Sequence, residues 1–243
     1  MALVAPPTAA MEPSTPPQPH MEPPSYTYLP RSLPEPSSSS SSSSHASTLN
    51  TYSCDCDTNC GVMCGHCIDL SDPDPVYLCN RDCRCPSDCP NRLPDSDVQL
   101  DIRYDDLKGW CLVANCAIPR TTYIGDYTGL IRSKCHAMQI HKSSSLNYIL
   151  TVREGSVHGT LTTHIDASTH GSPLRFMNHS CSPNVRIIPV RDDFVYPRVT
   201  CWATRDVGEG EELCFSYGRG VLGKVVCRCG SKGCQGFLPL EGF

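Results

Sequence analysis

Nine cysteines crowd into the stretch from Cys54 to Cys89, and no other feature restricts what this chain can fold into so severely. They are Cys54, Cys56, Cys60, Cys64, Cys67, Cys79, Cys83, Cys85 and Cys89, spaced C-x-C-x3-C-x3-C-x2-C, then eleven residues, then C-x3-C-x-C-x3-C. The segment holds little else that could build a core. Thiolates this close repel one another unless a cation neutralises them, and zinc takes four sulfurs in a tetrahedron. Nine is an awkward number for isolated four-sulfur sites. The count closes if three cysteines each bridge two metals, so that six terminal and three shared ligands complete three zincs. Two ordinary sites with a spare thiol are the plainer alternative. A disulfide knot is a third, although an odd count strands one sulfur.

Compartment bears on that choice, because exported chains form disulfides and intracellular ones bind metal. Residues 1–10 carry no basic residue ahead of their short apolar run, which Pro6 and Pro7 interrupt, so they make a poor export signal. No apolar run approaches the roughly 20 residues of a membrane helix. The reading is an intracellular metal protein with no membrane partner. Residues 1–50 are rich in Pro and contain an unbroken Ser run from Ser37 to Ser44. Such a composition buries too little apolar surface to offset its ordering entropy, so a disordered arm that adds nothing to a core is expected there. Net charge is −5, with no Lys/Arg block. That argues against sequence-specific DNA binding and suits a basic partner.

A second sulfur group, Cys227, Cys229 and Cys234, is spaced C-x-C-x4-C near the C-terminus. Three thiolates are one short of a tetrahedron, and spacing alone cannot choose the fourth among Cys111, Cys116, Cys135, Cys181, Cys201 and Cys214. Between the two sulfur groups the pattern turns to short β-rich runs broken by Gly, Pro, Asn and Asp. Strands are expected at 123–131, 148–153, 159–167, 184–190 and 199–203, with one short helix at 133–142, giving a compact, mostly β domain.

Four runs in this region carry a resemblance. Arg175-Phe-Met-Asn178-His179-Ser-Cys181-Ser-Pro183-Asn184 resembles the RF-x-NHSC-x-PN signature of SET-domain methyltransferases. Gly210-Glu-Glu-Leu-Cys-Phe215-Ser-Tyr217-Gly218 is similar to the family's GEEL-x-F-x-YG. Lys108-Gly109-Trp110, followed by Cys111, resembles KGWG, and Gly125-Asp-Tyr127-Thr-Gly129 resembles GEYxG. The nine-cysteine segment resembles the pre-SET module and the C-terminal group the post-SET module. The combination is that of the class related to heterochromatin-forming histone H3 lysine-9 methyltransferases. The tail after Cys227 is also similar to a transposase-fused branch of the family, which makes lysine 36 a competing target.

The resemblance implies a SET fold of small curved sheets at 96–218, a pre-SET zinc-cluster module at 51–95, a post-SET zinc module at 219–243 and the arm at 1–50. It implies three zincs in the pre-SET cluster and one in the post-SET site, with Cys181 as that site's fourth ligand. It implies S-adenosylmethionine as methyl donor, held by Lys108, Gly109, Trp110, Tyr148, Arg175, Asn178, His179 and Phe237. It makes Tyr217 the catalytic tyrosine and Tyr127 a wall of the lysine channel. Phe215 would govern how many methyls fit, in favour of di- or trimethylation. A histone H3 tail or nucleosome is the implied partner, and nucleus and chromosome the implied location. Cys111, Cys214 and Ser216 depart from the family pattern, which keeps a catalytically weak zinc-scaffolded chromatin-binding module, or a non-histone methyltransferase, as alternatives.

Overall fold

The computed structural model describes residues 22–35, 60, 76–143, 148–156, 159–192, 194–218 and 222–239. In chain order the strands are β1 (Thr27–Tyr28), β2 (Leu33–Pro34), β3 (Val76–Tyr77), β4 (Leu100–Asp105), β5 (Gly109–Ala114), β6 (Tyr123–Asp126) and β7 (Leu130–Arg132). After the helix α1 (Lys134–Ser143) come β8 (Ile149–Ser156), β9 (Gly159–Asp166), β10 (His170–Gly171), a 3₁₀ turn at Pro173–Phe176, and β11 (Asn178–His179). The chain then forms β12 (Val185–Arg191), β13 (Arg198–Ala203), β14 (Cys214–Phe215), β15 (Leu222–Val226) and β16 (Phe237–Pro239).

These strands make two four-stranded sheets, β2-β7-β9-β8 and β3-β12-β13-β6, and four two-stranded ribbons. The main core lies between them, built on Leu112, Ile124, Ile165, Val185, Val199 and Leu213, all almost fully buried. Each expected strand finds its element, and so does the helix. The expected single strand at 123–131 is two, β6 and β7, in different sheets. The break falls at Tyr127–Gly129, where the backbone of Gly129 lies so close to its neighbour that a Cβ would sit 2.5 Å from the Asp166 carbonyl oxygen. The β4–β5 hairpin is closed by Asp105, whose Oδ1 accepts the N–H groups of Leu107 and Lys108, each at 2.9 Å. Gly109 takes the positive φ of 78° that the turn needs.

The arm departs from expectation. Most of residues 1–50 lie outside the described residues, but 22–35 pack onto the domain. β1 pairs in parallel with β10, and β2 lies beside β7 as the outer strand of its sheet. Ser32 is buried, Tyr26 meets Phe176 edge-on at 5.8 Å, and Arg31 pairs with Asp192. Glu35 pairs with Arg132, and its Oε2 lies 2.9 Å from His136 Nδ1. The expectation averaged composition over fifty residues. These fourteen contain two tyrosines and two leucines, and their prolines suit an outer strand, which needs no N–H on its open side.

The close approach at Gly129 gives a stability test. Gly129→Ala should cost about 1–3 kcal/mol, because the added methyl meets backbone rather than a movable side chain. Gly155→Ala, where a Cβ would meet nothing within 4 Å, should cost far less. Denaturant melts of the two variants compare them directly.

Candidate active site and metal centres

The site is assembled where β11 and β14 run side by side, pairing Asn178 with Cys214 and His179 with Phe215. Tyr217 follows two residues later. Its N–H donates to His179 Nδ1 at 3.1 Å, and its hydroxyl donates to the Met177 carbonyl at 3.3 Å. Burial pushes the His179 pKa down, consistent with a neutral ring that accepts this bond. The Tyr217 ring lies 4.9 Å from Phe215 and 5.3 Å from His179.

On one side of Tyr217 is a narrow cavity of about 30 Å³ lined by Tyr127, Ile149, Leu150, Arg175, Met177, Phe215 and Tyr217. Tyr127 is held by its hydroxyl, which donates to the Tyr148 carbonyl at 2.9 Å. Tyr217 also lines a cleft of about 160 Å³. Lys108, Asn178 and His179 give it polar groups, while Leu107, Val225, Val226 and Leu238 give it an apolar wall. Tyr217 therefore belongs to the lining of both spaces.

The structure thus brings Tyr217, Tyr127 and Phe215 to the tunnel, and Lys108, Asn178 and His179 to the cleft. The other expected cofactor residues, Gly109, Trp110, Tyr148, Arg175 and Phe237, are not among those lining the cleft. Trp110 packs against Tyr104 at 5.2 Å, and its carbonyl accepts from Asn178 Nδ2 at 3.2 Å. Tyr148 and Arg175 stack on one another beside the tunnel, with the guanidinium carbon 4.1 Å from the ring centroid. Phe237 is 43% exposed, and it is Leu238, next along β16, that lines the cleft.

Glu212 is a site residue that sequence reasoning missed. It pairs with Lys108, and its Oε1 accepts from Asn178 Nδ2 at 3.0 Å, tying the β4–β5 turn to β11. Asn184 fastens the same region: its Oδ1 accepts the Cys214 N–H at 2.8 Å, and its Nδ2 donates to the Glu212 carbonyl at 2.8 Å. A sequence signal existed in the GEEL run, but nothing in it says which carboxylate turns inward. Cys111, the departure from KGWG, does not line the cleft. Its sulfur lies 3.2 Å from Asn178 Nδ2, and burial, with the Glu212 carboxylate close by, pushes its thiol up to about 12.

Cys181 joins Cys227, Cys229 and Cys234, with all four sulfurs within 4.8 Å of one another. The Cys181–Cys227 separation is 3.9 Å, against about 3.8 Å for a tetrahedron with zinc–sulfur bonds of about 2.3 Å. Burial pushes Cys227 up to about 12. In Cys229 the upward push of burial is outweighed by hydrogen bonds from the Cys181 backbone and from Ser231, which bring it down to about 5. Four sulfurs this close cannot all be thiolates in each other's company without a cation, so the donor set fits zinc. Cys60, Cys79, Cys85 and Cys89 form a second such group, also within 4.8 Å and fully buried. Cys83 is buried beside them, with Asn80 N–H 3.4 Å from its sulfur. Cys54, Cys56, Cys64 and Cys67 lie outside the described residues.

The described residues thus form a β-rich domain with a tunnel and a cleft that share one tyrosine, and with two four-sulfur groups. Residues 109–218 match the family model for the SET domain. It is 33% identical over 192 residues to histone-lysine N-methyltransferase SETMAR of Bos taurus, covering 69% of this chain and 62% of that protein. To histone-lysine N-methyltransferase SUVR3 of Arabidopsis thaliana it is 32% identical over 216 residues, 80% of this chain and 61% of that one. The chain therefore spans about three fifths of the length of these relatives. Among solved structures, the methyltransferase domain of human SETMAR superposes with a TM-score of 0.75 at 26% identity, covering 92% of each chain. Arabidopsis thaliana SUVH6, crystallised in complex with SAM, gives 0.70 at 25% identity, covering 90% of this chain and 51% of that one.

The C-terminal sulfur group predicts a specific metal loss. Cys181→Ser should lower bound zinc by one equivalent per chain and weaken binding in the cleft, while the N-terminal cluster keeps its metal. Inductively coupled plasma measurement on purified protein reads the first effect. A result in which zinc content is unchanged would remove Cys181 from the site.

Proposed function

We propose that this chain is a protein lysine N-methyltransferase that uses S-adenosylmethionine and acts on histone H3, with lysine 9 as target and di- or trimethyl-lysine as product. One observation carries the proposal: Tyr217 lines both the 30 Å³ tunnel and the cleft, so a side chain in the first and a donor in the second would share one tyrosine. The polar groups of Lys108, Asn178 and His179 beside an apolar wall suit a donor with a charged end and a flat ring. When bound, S-adenosylmethionine supplies a methyl on a positively charged sulfur. Asn178, fixed by Glu212, and Lys108, on the turn closed by Asp105, hold the cleft in shape. The Tyr217 hydroxyl and the Met177 carbonyl stand at the junction, where an incoming amine can be aligned. Such alignment is worth about 7–11 kcal/mol in displacement reactions.

The peptide is delivered by strand addition. β8 is the outer strand of its sheet, and its first residues, Ile149 and Leu150, line the tunnel, so a tail lying along β8 presents a lysine to the tunnel mouth. The net charge of −5 favours a basic tail, and the same substrate places the protein in the nucleus on chromosomes. The class resemblance supports lysine 9, and the similarity to the SETMAR proteins makes lysine 36 the outcome to watch for. We assign residues 51–95 to a three-zinc pre-SET module, 96–218 to the catalytic domain and 219–243 to the post-SET module, four zincs in all.

Recombinant protein incubated with labelled donor and intact nucleosomes, followed by mass spectrometry of the labelled peptide, tests the assignment. Tyr217→Phe should lower methyl transfer by on the order of 100-fold, through lost alignment at the junction. Phe215→Tyr should shift the product towards monomethyl-lysine, because the added hydroxyl restrains the amine by about one hydrogen bond, roughly 1 kcal/mol. Absence of both transfer and saturable donor binding would leave a zinc scaffold instead.

A further inference from the structure

The tunnel has a charged wall. Arg175, on the 3₁₀ turn, is only 4% exposed, yet it lines the tunnel beside Phe215 and Tyr217. Its guanidinium sits among three rings, 4.1 Å from the Tyr148 centroid, 4.9 Å from Phe176 and 5.1 Å from Tyr26. One nitrogen, Nη2, donates to the Ser168 carbonyl at 2.8 Å. Nε and Nη1 are buried and meet no hydrogen-bond acceptor among the described residues. Arginine stays protonated under any condition in which proteins fold, so this is a full positive charge inside the core. Buried charges are ordinarily paired with a carboxylate, because leaving one unpaired is costly.

The carboxylates packed around the turn are committed elsewhere. Asp166 is held by Arg132 Nε at 3.0 Å, and Asp126 by Arg198 Nε at 2.8 Å. On β4, Asp101 pairs with Arg103 and Asp105 caps its own turn. The thiol of Cys111 on β5 is held in its protonated form by burial. The other ionisable side chains lining the tunnel are the phenols of Tyr127 and Tyr217. The net field in the tunnel therefore comes from one unbalanced cation.

We propose that Arg175 is an electrostatic positioning residue that holds the incoming lysine in its neutral, nucleophilic form. The inference rests on the assignment of the tunnel to a lysine side chain. A lysine ammonium has no lone pair, and its reference pKa of about 10.4 keeps it protonated in water at neutral pH. A like charge fixed in a dry wall disfavours the ammonium, as does burial itself. The ammonium releases its proton to solvent as it enters. The neutral amine then forms the N–C bond as the S–C bond of the donor breaks, leaving a neutral thioether and a methylammonium. The aromatic collar lets the protein keep the charge without a carboxylate, which would cancel the field. Cation–π contacts offset part of the burial cost and leave the charge in place.

The test compares wild type, Arg175→Met and Arg175→Lys, with melting curves and zinc content confirming that each is folded. In wild type, kcat at saturating peptide and donor rises along a basic limb as the bound lysine loses its proton. In Arg175→Met that limb should move up by about one pH unit, roughly a tenfold loss at neutral pH that disappears in alkaline buffer. Arg175→Lys keeps the charge and should keep the limb where it was. A second readout needs no turnover and no variant. Calorimetry of a synthetic histone H3 tail peptide binding to wild type with S-adenosylhomocysteine, in two buffers of different ionisation enthalpy, should show close to one proton released at about pH 8. A parallel loss at every pH in Arg175→Met would make Arg175 merely structural. Peptide bound by wild type without proton release would overturn the inference even if the methionine variant fails to fold. Wild type that neither binds peptide nor transfers methyl would instead strike down the lysine-tunnel assignment beneath it.

Discussion

The convergence of four sulfurs at Cys181 is the contact on which the rest of the site depends. The C-terminal segment has almost nothing else to hold it. β15 and β16 form only a two-stranded ribbon, with Val225 63% and Val226 49% exposed, and an isolated hairpin of this kind is marginally stable in water. Yet Val225, Val226 and Leu238 are one wall of the cleft. A metal bound by Cys181 from the domain and by Cys227, Cys229 and Cys234 from the tail supplies the binding free energy that the ribbon lacks.

Opposite that wall the protein uses hydrogen bonds instead. Glu212 receives Asn178 and pairs with Lys108, and Asn184 donates to the Glu212 carbonyl while accepting the Cys214 N–H. Four residues from three separated stretches are thereby fixed with both faces of a carboxylate in use. Such a network is costly if one member is lost, because each remaining partner is left part-buried and unpaired.

Much of this was legible in the sequence, for reasons that differ from element to element. Asn178, His179 and Cys181 stand in one contiguous run, and Phe215 and Tyr217 in another, so the pairing of β11 with β14 needed only that the two runs meet. The strands β8, β9, β12 and β13 announce themselves by composition and by the turn residues between them. The inward turn of Glu212 was not legible, since Glu211 beside it is chemically identical and faces Arg205 instead. Nor was the exchange of Phe237 for Leu238 at the cleft, because alternation along a strand assigns faces only once the register is known. β1 and β2 were hidden because two-residue pairings leave no periodic pattern and sit within a proline-rich stretch.

That N-terminal segment matters to the tunnel through a single ring. Tyr26 lies on the Arg175 guanidinium and against Phe176, so residues far ahead of the domain complete the aromatic collar around the buried charge. The cation draws the phenol pKa down, but burial outweighs it, and Tyr26 is held in its neutral form. A carboxylate in that place would have satisfied Arg175 better and would have erased its field in the tunnel. An aromatic face tolerates a cation without neutralising it, which is what a wall that must repel an ammonium requires. The segment is held down by Glu35 on Arg132 and by Arg31 on Asp192, and each partner also engages a second group, Asp166 in the first case and Arg198 in the second. The collar is thus closed from outside by ion pairs near the surface, while its inner face stays free of anions.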